Sequence, residues 1–477
     1  MPHPIIEISE LAQVIVDHCL IFGNKQSLVS LACTCRALEE QALSTLWSVQ
    51  SSLATLIKST LPPGIFPPSK PLPQPTNAEW DRFRRYASWM RRLILDWDSG
   101  ITEEVFHLVS LGSTEGVVFH GLRELRWIAN PYTLPFHRLL LSPRLTTLSL
   151  TYSTFGQPPK GGLSIIQPMV MGLDTSSLRD LRLHWWIPEA STGEMESVAS
   201  SAVLRCGPAL KNLSLSSPLS DAAVQHIMQL PNLDKWYTTI GPPKTLDLPT
   251  PHILPRIDHL SLASEASLEW LTFFTTTARC ISSGQNPHTP PDRGPIQRLH
   301  GLTACLAVPI DALFMSPIML FRELTFLRLA SACSIAEPRC GFSLTDGNVA
   351  EIVIALPRLK VASWGLTCFA NSCQTTVASL VSFSTCCRDL ERLEIHFNTT
   401  NLRNELESVS GDPRLDGLLS LRTHDSFYLS MTNAPYTTGK DDVVPVLKGF
   451  RRIFPSLTEI TGNSTSWKEL NRRLWEV

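Results

Sequence analysis

The sequence predicts an α/β chain: a small N-terminal helical unit, then an irregular stack of short parallel strands alternating with helices. Three observations predict it. Apolar residues fall at helical spacing over the first 60 positions, a Pro-rich stretch follows, and the hexad L-x-x-L-x-L then recurs towards the C-terminus. The expected organisation is a helical domain over 1–60, a linker over 61–76 and the strand–helix stack over 77–477.

In Ser27–Trp47 the apolar residues Leu28, Leu31, Cys35, Leu38, Ala42 and Leu46 step by three or four, which puts them on one stripe of a helical surface. Ser27 stands where an N-cap would, its hydroxyl free to accept from an orphan backbone N–H. Ser9 takes that place for an earlier helix carrying Leu11, Ile15 and Cys19, which Gly23-Asn24 ends. Such a unit of about forty residues is small for a core of its own and gains from a partner that covers its leftover apolar surface. By residue type alone it reads as an amphipathic helical hairpin capping a larger domain.

These residues resemble the F-box in its divergent fungal form. Glu10-Leu11, Ile15, Cys35-Arg36, Ala42, Leu46 and Trp47 fall at the family's positions, while Glu7-Ile8 replace its usual Leu-Pro and Leu38 its usual Trp. The resemblance implies an adaptor-binding surface formed or supported by Ile8, Leu11, Ile15, Leu28, Leu31, Cys35, Leu46 and Trp47.

A 43% hydrophobic content is that of a folded chain, and a net charge of −2 gives no global field favouring nucleic acid or an anionic membrane. The first residues lack a basic segment followed by an apolar run, and no apolar stretch reaches the ~18 residues of a spanning helix, so the expected location is intracellular, cytoplasmic or nuclear. Twelve Cys are scattered, among them Cys33, Cys35, Cys368, Cys373 and the adjacent Cys386-Cys387, without zinc-site spacing. Reduced, buried thiols and no metal or other cofactor are expected. The triplets at Asn212, Asn398 and Asn463 read as chance matches to a glycosylation signal.

A further helical piece runs to about Thr60. Seven Pro between Pro62 and Pro75 then exclude helix and favour an extended, exposed linker. Beyond it Trp80, Phe83, Tyr86 and Met90 form one helical face, with Arg82, Arg84, Arg85, Arg91 and Arg92 on a basic, solvated side. This arrangement also resembles the segment after the linker in fungal F-box proteins with leucine-rich repeats.

The repeat is read at Met90–Leu95, Leu122–Trp127, Leu145–Leu150, Leu178–Leu183, Leu210–Leu215, Ile257–Leu262, Leu324–Leu329 and Leu390–Ile395. Leu233–Trp236, Ile296–Leu299, Leu359–Trp364 and Leu457–Ile460 are truncated or weaker, with one wide gap before the last. The last two apolar residues of each hexad are two apart and so point to one face of a strand; the first lies where the chain turns into it. Between strands, Asp346 with Val349, Ile352 and Leu356, and Asp221 with Val224 and Ile227, read as capped helices stopped by Pro357 and Pro231. A unit of this kind cannot bury its own apolar edge, so units stack in parallel, resembling a divergent leucine-rich-repeat solenoid.

In such a stack alternate strand residues line the concave face: Thr147, Ser149, Asp180, Arg182, His184, Asn212, Ser214, His259, Phe326, Arg328, Arg392, Glu394 and His396. A mixed polar face with an occasional aromatic suits a protein partner. Trp185-Trp186 is expected to pack under a loop, or if exposed to form a binding hot spot. Three long loops are expected at Gly156–Pro168, Ser282–Pro295 and Asn398–Arg414. No GxSxG, P-loop, HExxH, EF-hand or dinucleotide fingerprint occurs, so catalysis is not expected.

Joined, the two halves resemble the substrate-receptor subunits of SCF-type cullin–RING ubiquitin ligases. The implied partners are the adaptor subunit, through it the cullin, and a protein target, with neither nucleic acid nor membrane. The alternative is a leucine-rich-repeat scaffold acting without the ligase.

Overall fold

The computed structural model describes residues 9–22, 25–34, 36–66, 72–96, 101–112, 117–153, 166–186, 192–238, 258–263, 299–306, 310, 312–331, 343–364, 374–395, 398, 401–410, 427–431, 443–462 and 465–474. The chain forms two compact units, Met1–His226 and Ile227–Val477. The Pro-rich segment 61–76 lies within the first.

The first unit opens with helices α1 (Ser9–Phe22), α2 (Lys25–Thr34) and α3 (Arg36–Ser48). Two helices thus share the Ser27–Trp47 stripe, and Ser27 lies inside α2 rather than at its cap. Val16, Leu28 and Ala42, one from each helix, close on a common core. Strand β1 (Val49–Gln50) runs directly out of α3 and pairs in parallel with β2 (Arg92–Leu95). Gln50 holds the β1 position opposite Leu93, buried, with its side-chain amide donating to the Leu46 carbonyl at 2.7 Å. A polar residue at the ladder position hides this strand from a search for leucines.

Helix α4 (Leu53–Thr60) starts at Ser52, whose hydroxyl accepts from Ala54 N–H at 3.1 Å, and buries Leu53, Leu56 and Ile57. The expected exposure of 61–76 does not hold at its start. Gly64 turns the chain with φ 96°, a left-handed value that other residues resist, and Ile65 is fully buried. Helix α5 (Asn77–Trp89) begins with a capping box: Thr76 N–H donates to Glu79 at 2.7 Å and Glu79 N–H to the Thr76 hydroxyl. Those bonds hold the Glu79 carboxyl below its usual range. Phe83 and Met90 form the buried face of this segment, as its spacing predicts.

From β2 the chain advances one strand at a time through β3 (Glu124–Ala129), β4 (Thr147–Ser153), β5 (Asp180–Trp186) and β6 (Asn212–Leu215). Each pairs in parallel with the next. Between them lie α6 (Glu103–Leu111), a 3-10 turn at Leu134–Phe136 leading into α7 (His137–Leu140), α8 (Ile166–Gly172) and α9 (Thr192–Leu204), with α10 (Asp221–Met228) after β6. The register stacks Leu93, Leu125, Leu148, Leu181 and Leu213 in one column, and Leu95, Trp127, Leu150, Leu183 and Leu215 in a second. All ten are buried. Burial of each is worth about 1.5–3 kcal/mol, and it exists only because the neighbouring rung covers it.

The corner before each strand is a repeated backbone device. The N–H of the leading apolar residue bonds the carbonyl three residues back, as at Leu122, Leu145, Leu178 and Leu210. The next carbonyl then accepts two N–H groups from the following rung. Arg91 O accepts from Arg123 and Glu124, Arg123 O from Thr146 and Thr147, Thr146 O from Arg179 and Asp180, and Arg179 O from Lys211 and Asn212.

The second unit repeats the scheme with β7 (Lys235–Thr238), β8 (His259–Ala263), β9 (Gly301–Leu306), β10 (Phe326–Ser331), β11 (Val361–Trp364), β12 (Arg392–Ile395), β13 (Phe427–Met431) and β14 (Leu457–Gly462). They too pair in parallel in chain order. Its helices are α11 (Ala312–Ile318), α12 (Asp346–Ala355), α13 (Val377–Cys386), α14 (Leu402–Ser410), α15 (Val443–Ile453) and α16 (Thr465–Arg473). Beyond β14, Asn471 of α16 accepts the Ile460 N–H at 2.9 Å, and Trp467 and Leu470 are fully buried. Among the described residues no further strand lies beside β14, and a side chain thus satisfies one of its backbone groups.

Four sequence expectations shift here. The rung expected at Ile296–Leu299 is Leu299-His-Gly-Leu302-Thr-Ala304, since Leu302 pairs with Leu260 and Leu327. The wide gap before the last repeat holds β13, whose single aligned leucine is Leu429. Helix α14 occupies part of the stretch expected as loop at Asn398–Arg414. Thr345, not Asp346, caps α12, and Ser220 rather than Asp221 accepts from the start of α10. Most of the other two expected loops, residues 156–165 and 282–295, lies outside the described residues.

Candidate binding surfaces

On the N-terminal helices, the six described residues implied for adaptor binding fall into three classes. Leu28 is fully buried, and Leu31 and Leu46 pack partly buried against it. Leu11 is exposed, together with Val14 of α1 and Val29 of α2, and Ile15 is half-buried. Trp47 is buried, its ring stacked on Tyr86 of α5 at 5.1 Å, so it joins α3 to α5 rather than facing solvent. Ile8 and Cys35 lie outside the described residues. Helix α1 is apolar on more than one side; the inward face is Ala12, Val16 and Cys19, one step from the Leu11–Ile15 face that spacing singles out. Among the described residues the exposed large apolar side chains of these three helices are Leu11, Val14 and Val29, with Ile15 half-buried beside them in α1.

Opposite the leucine columns, the alternate strand residues do share a polar face in each unit. In the first, Thr147, Asp180 and Asn212 lie side by side, as do Ser149, Arg182 and Ser214. Several of them bond a neighbour on this face. Arg182 donates two hydrogen bonds to Asp180, Nε at 3.0 Å and an outer nitrogen at 2.9 Å, and Asn212 donates to the same carboxylate at 3.4 Å. Ser214 Oγ lies 3.2 Å from His184 Nε2. Burial, aided by the Arg182 charge, pushes the His184 imidazolium below its usual range, so it is neutral at pH 7. Earlier on the face, Glu124 pairs with Arg92 at 3.2 Å and Arg126 at 3.1 Å.

In the second unit Glu394 is buried on this face, accepting from Arg392 Nε at 2.6 Å and from Ser363 Oγ at 2.7 Å. His259 lies opposite Gly301, and Phe326 and Arg328 follow on β10. Phe326 is half-buried and Arg328 exposed. His396 lies outside the described residues. Trp185 is buried, in line with the packed reading; the side chain of Trp186 is outside the described residues.

Reading alternate strand residues missed the corner column. Residues 91, 123, 146, 179 and 211 are joined rung to rung by the corner N–H···O bonds, at 2.7 to 2.8 Å from Arg123 onwards. Their side chains are Arg, Arg, Thr, Arg and Lys. The signal lay in the second place of the hexad: Met-Arg-Arg-Leu, Leu-Arg-Glu-Leu, Leu-Thr-Thr-Leu, Leu-Arg-Asp-Leu, Leu-Lys-Asn-Leu.

Of the thiols, Cys206 is buried, its Sγ 3.4 Å from the Ala202 carbonyl, and burial pushes its pKa up to about 12, far from the thiolate a nucleophile needs. Among the described residues no helix is long and apolar enough to cross a membrane. Compared with known proteins, the chain matches no family model and no curated relative.

Proposed function

We propose that the protein is a substrate-receptor subunit of an SCF-type ubiquitin ligase, with an F-box-like N-terminal unit that docks the adaptor and a leucine-rich-repeat-like stack that holds a protein target. One observation carries the reading. Three short helices around Val16, Leu28 and Ala42 leave Leu11, Val14 and Val29 exposed, and they run directly into a parallel-strand stack with an extended polar face. Exposed apolar residues on so small a core suit a partner that covers them. The stack offers side chains along many rungs, which suits a macromolecule more than a small ligand in a closed pocket. A receptor of this kind raises the effective concentration of target lysines at the ligase and performs no chemistry itself.

The test is co-expression with the adaptor subunit followed by size exclusion, comparing wild type with Leu11→Asp/Val29→Asp. Both side chains are exposed, so the double variant is expected to fold and to lose a one-to-one complex that wild type retains. A folded wild type that elutes alone refutes adaptor docking and leaves the scaffold reading.

A further inference from the structure

The two corner columns differ in how their charges are balanced. In the second unit the column runs Asp234, Asp258, His300, Thr325, Lys360, Glu391, each N–H bonded to the preceding carbonyl. It carries both signs: Lys360 Nζ lies 3.3 Å from Glu391, and His300 Nδ1 3.1 Å from Asp258, a charge pair when the imidazole is protonated. In the first unit Arg91, Arg123, Arg179 and Lys211 stand in one column with no acidic member. All four are exposed. Arg91 is held by the Gly121 carbonyl at 3.0 Å, which satisfies a donor without cancelling the charge. Among the described residues no carboxylate pairs with Arg123, Arg179 or Lys211. The nearest in sequence are committed elsewhere: Glu124 to Arg92 and Arg126, and Asp180 to Arg182. The rung where Thr146 interrupts the column carries exposed Arg144 two residues earlier.

Like charges on neighbouring strands cost stability, and the corner column of the second unit shows that the same fold accommodates a self-pairing alternative. We propose that the Arg91–Arg123–Arg179–Lys211 column of the first unit is a docking strip for an acidic protein segment. The strands are about 4.8 Å apart, so the five rungs span about 19 Å, the length of roughly six extended residues. Guanidinium forks match carboxylates, mostly at Arg, with a lysine at the end. A single-stranded nucleic acid is the poorer fit: its bases call for aromatic stacking platforms, absent from the column, and the chain's net charge of −2 supplies no long-range attraction. The strip shares no residue with the helical surface of the adaptor reading and does not depend on it.

The experiment measures fluorescence anisotropy of a labelled Glu/Asp-rich peptide of about ten residues against the full-length protein at low salt. Parallel titrations use a Lys-rich peptide and a single-stranded oligonucleotide of equal length. Wild type is expected to bind the acidic peptide, more weakly as salt rises, and to ignore the Lys-rich one. Arg179→Glu/Lys211→Glu is expected to weaken binding about tenfold or more, because two cations that hydrogen-bond the peptide's carboxylates become anions that repel them. The control Arg82→Glu/Arg85→Glu on α5 is expected to leave it within about twofold. Circular dichroism and thermal unfolding certify that the variants fold. If the strip variant misfolds, Arg123→Gln and Lys211→Gln singly supply the comparison, each with a smaller loss. No binding by wild type, equal loss in the α5 control, or tighter and strip-dependent binding of the oligonucleotide would each overturn the proposal.

Discussion

Gly301 shows how single residues settle the polar face. It pairs with His259 across β8 and β9, and a Cβ built on it would lie 1.8 Å from the imidazole Nδ1. The glycine at the start of β9 therefore makes room for a ring, one form of the close approach that glycine permits in a strand. Gly301→Ala is expected to cost about 1–3 kcal/mol as the ring is forced aside. In a His259→Ala background the same change is expected to cost far less, a coupling that urea unfolding of the four proteins measures. An equal cost in both backgrounds would acquit the imidazole. Position 301 is a glycine that no hexad reading singled out, because its role comes from a neighbour 42 residues away in sequence and one strand away in space.

Elements are tied to one another by polar groups as well as by leucines. The Asp346 carboxylate on α12 accepts from Thr376 N–H at 2.8 Å, from its hydroxyl at 2.7 Å and from the Ser379 hydroxyl, all at the start of α13. Glu405 of α14 accepts the Val377 N–H at 3.1 Å. The N-terminus of α13 thus lies between carboxylates from the helix before and the helix after, where its orphan N–H groups and its dipole favour negative charge. Asp346→Ala is expected to cost about 1–3 kcal/mol, since it strands several donors at once. Hydrogen exchange is expected to show the loss of protection at the first turn of α13 rather than throughout α12. Protection lost evenly along α12 would return Asp346 to the role of a local cap, as its sequence position suggests. Sequence could place an acid at a helix start; that it serves the next helix depends on the stacking of rungs.

At the scale of the whole molecule, two groups among the described side chains tie stability to acid. Burial pushes His137, His184 and His259 below their ordinary value of 6.5, so they are neutral in the folded protein and protonate more readily once it unfolds. Their contribution is complete above about pH 6.5 and is lost as pH falls from there towards the depressed folded values. Hydrogen bonds at exposed sites lower the carboxyls of Glu79, Asp174 and Glu469, the last to about 2. Theirs is present above the ordinary carboxyl range and is lost only as pH falls through it. Thermal unfolding is therefore expected to begin declining just below pH 6.5, before the carboxylates titrate, and His137→Leu to make that first decline shallower. A curve flat down to about pH 4.5 would show that the imidazoles are solvated in the folded chain.

Sequence alone determined the alternation of short strands and helices, because a hexad with two apolar residues two apart cannot bury them without a parallel neighbour. It also determined which strand residues share the polar face and the apolar stripe of the second and third helices, though not the inward face of the first. Tertiary structure alone decided the rest. Gln50 and Leu429 hold ladder positions without the hexad, since such a position needs burial and a bonded backbone rather than a run of leucines. Trp47 was absorbed by Tyr86, and Leu28 by the core, because apolar spacing cannot tell a helix face turned inward from one left for a partner. The polar face proved largely self-paired, and the uncompensated charge stood at the corners. Charge balance is a property of neighbours across rungs 23 to 33 residues apart in the chain, and only the register that brings Arg91, Arg123, Arg179 and Lys211 into line makes it visible.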